Sequence, residues 1–242
     1  MKDFKLPEVI ASARSQYLLN GTGIDDFDWY ISPHLWTNLA SDAGVTAPAQ
    51  SDAEYGVVTM LTGTTDNNEV MVRSTNEVAL FQADYGFVYE SRVQFTEAAT
   101  SAANVAVGLA NAAGANLLSD DGGGDNINSS GVLIFKVDGE TTWRCACENN
   151  GTVKETASVQ TAGGSSYQTL RIVGKAVDAT NMEFTYFLDG LPLTDSNNRP
   201  IKHTLAYASA TEMRVVAGYL KCGSTTEETL NLDYCAFAST RV

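Results

Sequence analysis

The feature that most constrains the fold of this chain is a series of segments in which apolar and polar residues alternate, from about residue 55 to the C-terminus. The clearest are Phe87–Phe95, Met182–Leu188 and Leu230–Tyr234. A period of two places the apolar side chains of a strand on one face, which a sheet buried on one side requires. The pattern therefore predicts β-strands over most of the chain.

Turn sequences separate these segments. Asp138–Gly139 and Asn150–Gly151 are examples of the Asp-Gly and Asn-Gly pairs that give the strongest short signal for a β-hairpin. We predict strands near residues 55–62, 69–74, 77–82, 86–96, 104–110, 131–137, 141–148, 152–159, 168–175, 182–188, 212–220 and 229–238. Since no helical segment lies between them, the sequence predicts an all-β, two-sheet antiparallel jelly-roll sandwich with a short N-terminal helix or arm.

The same alternation predicts which side chains face the core. On the strand near 141–148, Trp143, Cys145 and Cys147 share one face, and we expect this face to be buried. For the strand near 86–96, the predicted inner residues are Phe87, Tyr89, Val93 and Phe95, and the predicted outer residues are Glu90, Arg92 and Gln94. The outer polar rows are the surface that solvent or a partner would contact.

The four cysteines lie at positions 145, 147, 222 and 235. Cys145 and Cys147 are two residues apart on one strand, so their Cβ atoms are roughly 6–7 Å apart, beyond the ~4 Å that a disulfide needs. The preferred interpretation is that all four are small buried side chains. Two alternatives stay open, namely a disulfide of Cys222 or Cys235 and a zinc site that combines all four thiols.

The chain carries 15 basic and 29 acidic residues, which gives a net charge of −14. A field of this sign repels phosphate groups and anionic lipids, so nucleic acid and membrane surfaces are poor partners. No apolar segment has the length of a transmembrane helix, and the N-terminal residues lack the apolar core of a signal peptide. We therefore expect a protein that is made in the cytoplasm and either stays there or is released by lysis.

The N-terminal residues differ in composition from the rest, and we predict an arm and strap over residues 1–50 and a sandwich domain over 51–242. Leu6–Leu19 is predicted to form a short helix with Pro7 in its first turn. Aromatic anchors beside charged residues are typical of interfaces. On this basis the predicted partner-binding residues are Tyr17, Leu18, Phe27, Trp29, Tyr30 and Trp36. The alternative is that Trp29 and Trp36 cover one sheet of their own subunit.

Motifs for catalysis are not found in the sequence. His34 and His203 are the two histidines, and neither lies near the serine or cysteine motif that nucleophilic catalysis needs. The zinc-protease, P-loop and dinucleotide-binding motifs are missing. No glutamate is followed by an aspartate two residues later, so the strand-borne carboxylate pair of many glycosidases is missing as well. We expect a protein that is not an enzyme and has no catalytic residues and no cofactor.

A loop rich in aspartate and glycine is the one candidate for a metal site. Asp120, Asp121 and Asp125 flank three glycines, and carboxylates on a permissive backbone suit Ca²⁺. The loop lacks regular ligand spacing and a bidentate glutamate, so an acidic surface loop without metal is the preferred interpretation.

Four segments of the C-terminal half resemble the concanavalin A-like (laminin-G/laminarinase-type) sandwich. They are Trp143 on its strand, Tyr167–Val173, Glu183–Leu191 with its Asp-Gly turn, and the closing strand Leu230–Phe237. The resemblance covers about residues 85–240 and implies the fold. The family holds lectins, adhesion modules and β-glucanases, but the Glu-x-Asp-x-x-Glu motif of the glucanases is missing here. A carbohydrate-binding, lectin-like module that binds a glycan receptor is therefore one implied function.

In its general style the chain also resembles accessory virion proteins of tailed phages, which are acidic sandwiches with an N-terminal tail. This resemblance implies a structural virion protein, either a capsid decoration or cement subunit or a fibre subunit. Its partner would be the major capsid protein or another virion protein, it would form a homo-oligomer, and it would lie on the capsid surface after synthesis in the host cytoplasm. We take this as the first functional hypothesis, with the lectin-like module as the alternative and a hydrolase with an unrecognised site as the third.

Overall fold

The computed structural model describes residues 22–25, 35–40, 44–51, 56–82, 85–97, 101–119, 127, 129–207 and 211–240. Within these residues the chain forms seventeen strands and no helix. In chain order the strands are β1 (Thr22–Asp25), β2 (Trp36–Ala40), β3 (Thr46–Ser51), β4 (Val57–Leu61), β5 (Glu69–Ser74), β6 (Ala79–Phe81), β7 (Gly86–Thr96), β8 (Ala103–Ala110), β9 (Gly131–Lys136), β10 (Thr142–Asn149), β11 (Thr152–Thr161), β12 (Gln168–Ala176), β13 (Asn181–Leu188), β14 (Leu191–Pro192), β15 (Lys202–Ala206), β16 (Thr211–Cys222) and β17 (Thr229–Thr240).

The strands form two sheets. Sheet A has the order β14-β13-β12-β7-β17-β4-β3, with β15 beside β13 and β1 beside β17. Sheet B has the order β11-β10-β9-β8-β16-β5-β2, with β6 beside β16. Neighbouring strands in both sheets are antiparallel. The predicted all-β, two-sheet antiparallel sandwich is confirmed, and each of the twelve predicted strands is present.

The core between the sheets contains the residues that the alternation placed there. Trp143, Cys145 and Cys147 are fully buried in it. Phe95 packs edge-on against Trp143, with ring centroids 5.8 Å apart. The inner residues predicted for β7, which are Phe87, Tyr89, Val93 and Phe95, belong to the same cluster. All four cysteines are free, buried thiols, as the preferred interpretation expected.

Two hairpins show why the Asn-Gly and Asp-Gly pairs were informative. Asn150 and Gly151 have φ of 48° and 80° and connect β10 to β11, while Asp189 and Gly190 have φ of 49° and 80° and connect β13 to β14. Two-residue hairpins of this type need positive φ at both positions, which asparagine, aspartate and glycine tolerate best.

Strands β1, β2 and β3 come from the segment that we assigned to an N-terminal arm and strap. β1 pairs with β17, β2 with β5, and β3 with β4, so this segment extends both sheets. The predicted boundary between residues 50 and 51 falls inside β3 (Thr46–Ser51). The predicted helix over Leu6–Leu19 lies outside the described residues.

The outer face of sheet B is covered by the chain itself. Leu117 and Leu118, from the connection after β8, pack with Phe135 and Tyr219 on this face, and all four are buried. The connection is also held by hydrogen bonds, since the Asn116 amide donates to both carboxylate oxygens of Glu69 at 2.8 Å. In the part of the chain that the structure describes, no helix has the length and apolar character needed to cross a membrane.

Candidate ligand-binding groove on sheet A

A groove of about 360 Å³ lies on the outer face of sheet A, between the face of β12–β13 and the segments that carry β14 and β15. Half-buried Val173, Thr185 and Phe187 lie on its strands, and exposed Pro192 and Pro200 lie beside them. Charged or further apolar residues complete the lining, namely Lys175, Glu183, Tyr186, Ile201 and Lys202. Apolar walls with a few polar groups are the usual composition of small-ligand sites.

Strand register explains why these side chains meet. Thr185 of β13 is paired with Val173 of β12 on one side and with Lys202 of β15 on the other. Two residues further along β13, Phe187 is paired with Arg171 of β12 and with Pro192 of β14. Because directly paired side chains stand about 4.5–5.5 Å apart, these rows form a continuous surface across three strands.

The charged part of the groove is built around one carboxylate. Lys175 Nζ lies 3.0 Å from Glu183 Oε1, and Lys202 Nζ lies 3.8 Å from the same oxygen. The two lysine side chains are 45% and 55% exposed, whereas that of Glu183 is 21% exposed. Both ammonium groups are therefore accessible from the groove, and the carboxylate lies beneath them.

A second cluster of polar side chains lies beside the groove, with members on β7, β12 and β17. Glu90 accepts hydrogen bonds from Tyr234 Oη and Arg171 Nε, each at 2.6 Å. Burial, together with the Glu90 carboxylate, raises the pKa of Tyr234, so this phenol is protonated and donates at neutral pH. Glu90 lies on the predicted outer face, yet only 2% of it is exposed.

Ion pairing and stacking continue along the same face. Arg92 forms an ion pair with Asp233, and its guanidinium lies 4.7 Å from the centre of the Tyr167 ring. Next to it, Gln94 Nε2 donates to the Ser165 carbonyl at 2.6 Å. The predicted outer positions Arg92 and Gln94 thus face away from the core.

His203, one of the two histidines in the sequence, is buried and contacts side chains of both sheets. Tyr186 Oη lies 3.0 Å from its Nδ1, and Thr156 Oγ1 lies 3.0 Å from its Nε2. Burial, with a smaller contribution from Lys154, lowers the pKa of His203 to about 4. The ring is therefore neutral at physiological pH and links β15 of sheet A to β11 of sheet B.

Of the six residues predicted to bind a partner, Trp36 lies in the described part of the chain. It begins β2 and is fully buried in the core between the sheets. An indole without exposed surface cannot anchor a partner, so the expected interface role of Trp36 is corrected to that of a covering residue within its own chain. Tyr17, Leu18, Phe27, Trp29 and Tyr30 lie outside the described residues.

The candidate calcium site of the sequence falls on the aspartate-rich loop. Asp120, Asp121 and Asp125 lie outside the described residues. Among the residues that are described, no group of three or more His, Cys, Asp or Glu side chains is arranged to hold a metal ion.

Sequence analysis located only part of the groove. The alternation of Met182–Leu188 places Glu183, Thr185 and Phe187 on one outward face, which was a usable signal. β14 and β15 were not predicted: β14 has two residues, one of them a proline, and β15 is a five-residue strand that follows the turn-rich segment 195–200. Lys202 and Pro192 were therefore not identified as neighbours of that face.

No protein-family model matches this chain, and no curated protein matches it in sequence. Solved structures do match. A legume lectin-like domain from Entamoeba histolytica has a TM-score of 0.55 at 10% identity, covering 95% of this chain and 100% of that one. The carbohydrate recognition domain of Emp47p has a TM-score of 0.54 at 10% identity, covering 88% and 92%. An endo-β-1,4-glucuronan lyase from Trichoderma reesei has a TM-score of 0.52 at 15% identity, covering 91% and 94%. The fold is thus the concanavalin A/legume-lectin-like β-sandwich, in agreement with the resemblance seen in the sequence.

Proposed function

We propose that this protein is a carbohydrate-binding module and that its ligand occupies the groove on the outer face of sheet A. Two of the similar structures are a carbohydrate recognition domain and a legume lectin-like domain, and a third is a lyase of glucuronan. Because shared fold alone leaves function open, the proposal is carried by the groove itself.

The groove has the chemistry that a sugar ring needs. A sugar presents hydroxyl groups at its edge and carbon-bound hydrogens on its faces. Phe187, Pro192 and Pro200 supply apolar surface for a face, while Thr185 and Glu183 supply hydrogen-bonding groups for the edge. Its volume of about 360 Å³ is at the lower end of the range for small-molecule sites and suits about one or two sugar rings.

A glycan array probed with the intact protein and two variants tests the proposal. Phe187→Ala removes the aromatic wall, and we expect binding to weaken about tenfold or more, because an aromatic contact of this kind contributes roughly 1.5–3 kcal/mol. Val159→Ala is the matched control, since Val159 is 54% exposed and lies on β11 of the other sheet. If Phe187→Ala binds as the unmodified protein does, the ligand lies elsewhere.

We further propose that binding occurs without turnover. Tyr234 is held as a hydrogen-bond donor to Glu90, and the carboxylates of Glu90, Asp233 and Glu183 each lie against a basic side chain. Incubation with laminarin and related polysaccharides should release no reducing sugar. Steady release that a single Asp or Glu substitution abolishes would contradict this part of the proposal.

The virion role remains a separate prediction, because five of the residues assigned to it lie outside the described part of the chain. The structure sharpens its test. A deletion should stop at residue 21, since Thr22–Asp25 forms β1 and pairs with β17. We expect the shortened protein to stay folded and to lose co-sedimentation with capsids. Full decoration by the shortened protein would exclude an interface formed by residues 1–21, which include Tyr17 and Leu18.

A further inference from the structure

The groove contains two lysines that share a single acidic partner. Lys175 and Lys202 approach the same Glu183 oxygen, at 3.0 and 3.8 Å, from neighbouring strands on either side of β13. Among the described residues, neither ammonium has a second carboxylate within ion-pair distance. Two positive charges against one negative charge leave a local excess of one positive charge at the mouth of the groove.

This local positive charge is opposite in sign to the net charge of the whole chain. The protein carries a net charge of −14. On the strands that form the outer face around the groove, which are β7, β12, β13, β15 and β17, the charged residues are Arg92, Arg171, Lys175, Lys202, Glu90, Glu183 and Asp233. The four basic residues thus outnumber the three acidic ones on these strands. Repulsion from distant acidic residues is screened beyond about 8 Å at physiological ionic strength, so the local lysines dominate at contact range.

We propose that the groove selects acidic saccharides, with the anionic group of one sugar residue bound between Lys175 and Lys202. The inference rests on the proposed carbohydrate-binding function and narrows its ligand class. The anionic group accepts hydrogen bonds from both ammonium groups while the sugar ring packs against Phe187 and Pro192. Both lysine side chains are about half exposed, so their Nζ atoms reach an incoming ligand without any movement of the strands.

Glu183 has a definite role in this arrangement. In the unliganded protein it holds the two ammonium groups close together, and its carboxylate competes with the ligand for them. Charge-assisted hydrogen bonds are about twice as strong as neutral ones, so this competition affects affinity. An acidic saccharide should therefore bind more tightly when Glu183 is neutral, whereas a neutral saccharide should gain nothing.

A lysine ammonium group acts as a point charge and can bind either a carboxylate or a sulfate. The probes are therefore a short oligogalacturonate, its carboxyl-reduced neutral counterpart, and a sulfated neutral oligosaccharide of equal length. Calorimetric titration at about 50 mM and about 300 mM salt measures how much of the affinity is electrostatic. We expect the oligogalacturonate or the sulfated probe to bind at least about tenfold more tightly than the neutral one at low salt, with the difference reduced at high salt.

Three substitutions test the assigned residues, and a fourth is the control. Lys175→Gln and Lys202→Gln should each weaken binding of the acidic probe about three- to tenfold, and Glu183→Gln should strengthen it about threefold. Arg214→Gln makes the same change in net charge on β16 of sheet B, where the Arg214 side chain pairs with Glu77, and should leave affinity unchanged. Thermal melting of each variant confirms that it is folded.

The outcomes separate the two proposals. If the neutral probe binds as tightly as the acidic ones, or if Lys175→Gln and Lys202→Gln bind the acidic probe as the unmodified protein does, the selection of acidic saccharides is wrong and carbohydrate binding stands. A loss of affinity in Glu183→Gln would also overturn the assigned competition. If neither these probes nor any glycan on an array binds, the proposed function fails with it.

Discussion

The outer faces of the two sheets contain similar chemistry but differ in what covers them. On sheet B, the connection after β8 packs Leu117 and Leu118 over the strands, and Glu69 beneath it is 5% exposed. On sheet A, the groove leaves Lys175 and Lys202 about half exposed around Glu183. The Glu69 carboxylate on sheet B is thus bound by Asn116 and Tyr219 of its own chain, whereas the two lysines at the groove remain available to a ligand.

Burial decides how much each of these polar groups contributes to stability. A buried carboxylate that accepts several hydrogen bonds cannot exchange its partners for water, so the loss of one partner is costly. An exposed ion pair competes with water at every moment and contributes at most about 1 kcal/mol. The same residue types should therefore give large effects on sheet B and small ones at the groove.

The largest effect is expected from the buried carboxylate of sheet B. Glu69→Ala removes the acceptor of the Tyr219 hydroxyl and the Asn116 amide and leaves a cavity under the covering segment, so the free energy of unfolding should fall by about 3–4 kcal/mol. Glu183→Ala at the groove is the matched control and should cost less than about 1 kcal/mol. Urea denaturation measures both, and equal losses would show that the two faces do not differ as described.

The second-largest effect is expected from His203, which lies in the contact between the two sheets and makes the stability depend on pH. The pKa of His203 is lowered to about 4 by burial, against about 6.5 for the unfolded chain. The unfolded state therefore binds the proton more readily between these values. The stabilising contribution is complete above about pH 6.5 and is lost as the pH falls towards 4, by about 3 kcal/mol at most.

Unfolding measured by urea between pH 7 and pH 4 tests this prediction. The comparison is with His203→Gln, which keeps hydrogen-bonding capacity near Tyr186 and Thr156 but does not titrate. We expect the variant to lose less stability on acidification than the unmodified protein does. Identical pH profiles would show that His203 does not carry the dependence.

The part of the fold that could be predicted from the sequence is the part that the local alternation of apolar and polar residues determines. The long strands were found because residues such as Phe87 and Trp143 recur with period two, and the hairpin at Asn150–Gly151 was found because positive φ restricts residue choice. Strand β15, which carries Lys202, was not predicted, although His203 and Leu205 alternate with polar or small residues over its five positions. The groove depends on that strand lying beside β13, and a pairing between distant segments is not encoded in the local pattern of either one.

A third comparison uses two tyrosines whose hydroxyl groups donate hydrogen bonds of the same length. Tyr219 on sheet B donates to Glu69, and Tyr234 on sheet A donates to Glu90, each at 2.6 Å. Each carboxylate keeps a second donor when the tyrosine is replaced, Asn116 at Glu69 and Arg171 at Glu90, but Tyr219 is fully buried whereas Tyr234 is half-buried. Tyr219→Phe should therefore cost about 2 kcal/mol and Tyr234→Phe about 1 kcal/mol. Denaturant unfolding of the two variants checks the order, and a greater loss for Tyr234→Phe would reverse the comparison.

The smallest stability effect is expected at the groove itself. Lys175→Gln removes one of two ammonium groups that share the Glu183 carboxylate, and Lys202 remains 3.8 Å from the same oxygen, so this carboxylate keeps a positive neighbour. Because both lysines are about half exposed, the free energy of unfolding should change by less than about 0.5 kcal/mol. Urea unfolding at low and high salt measures the change. A loss above about 1 kcal/mol would mean that the lysine stabilises the fold, and the contrast between a closed sheet B and an open groove on sheet A would then not hold at this position.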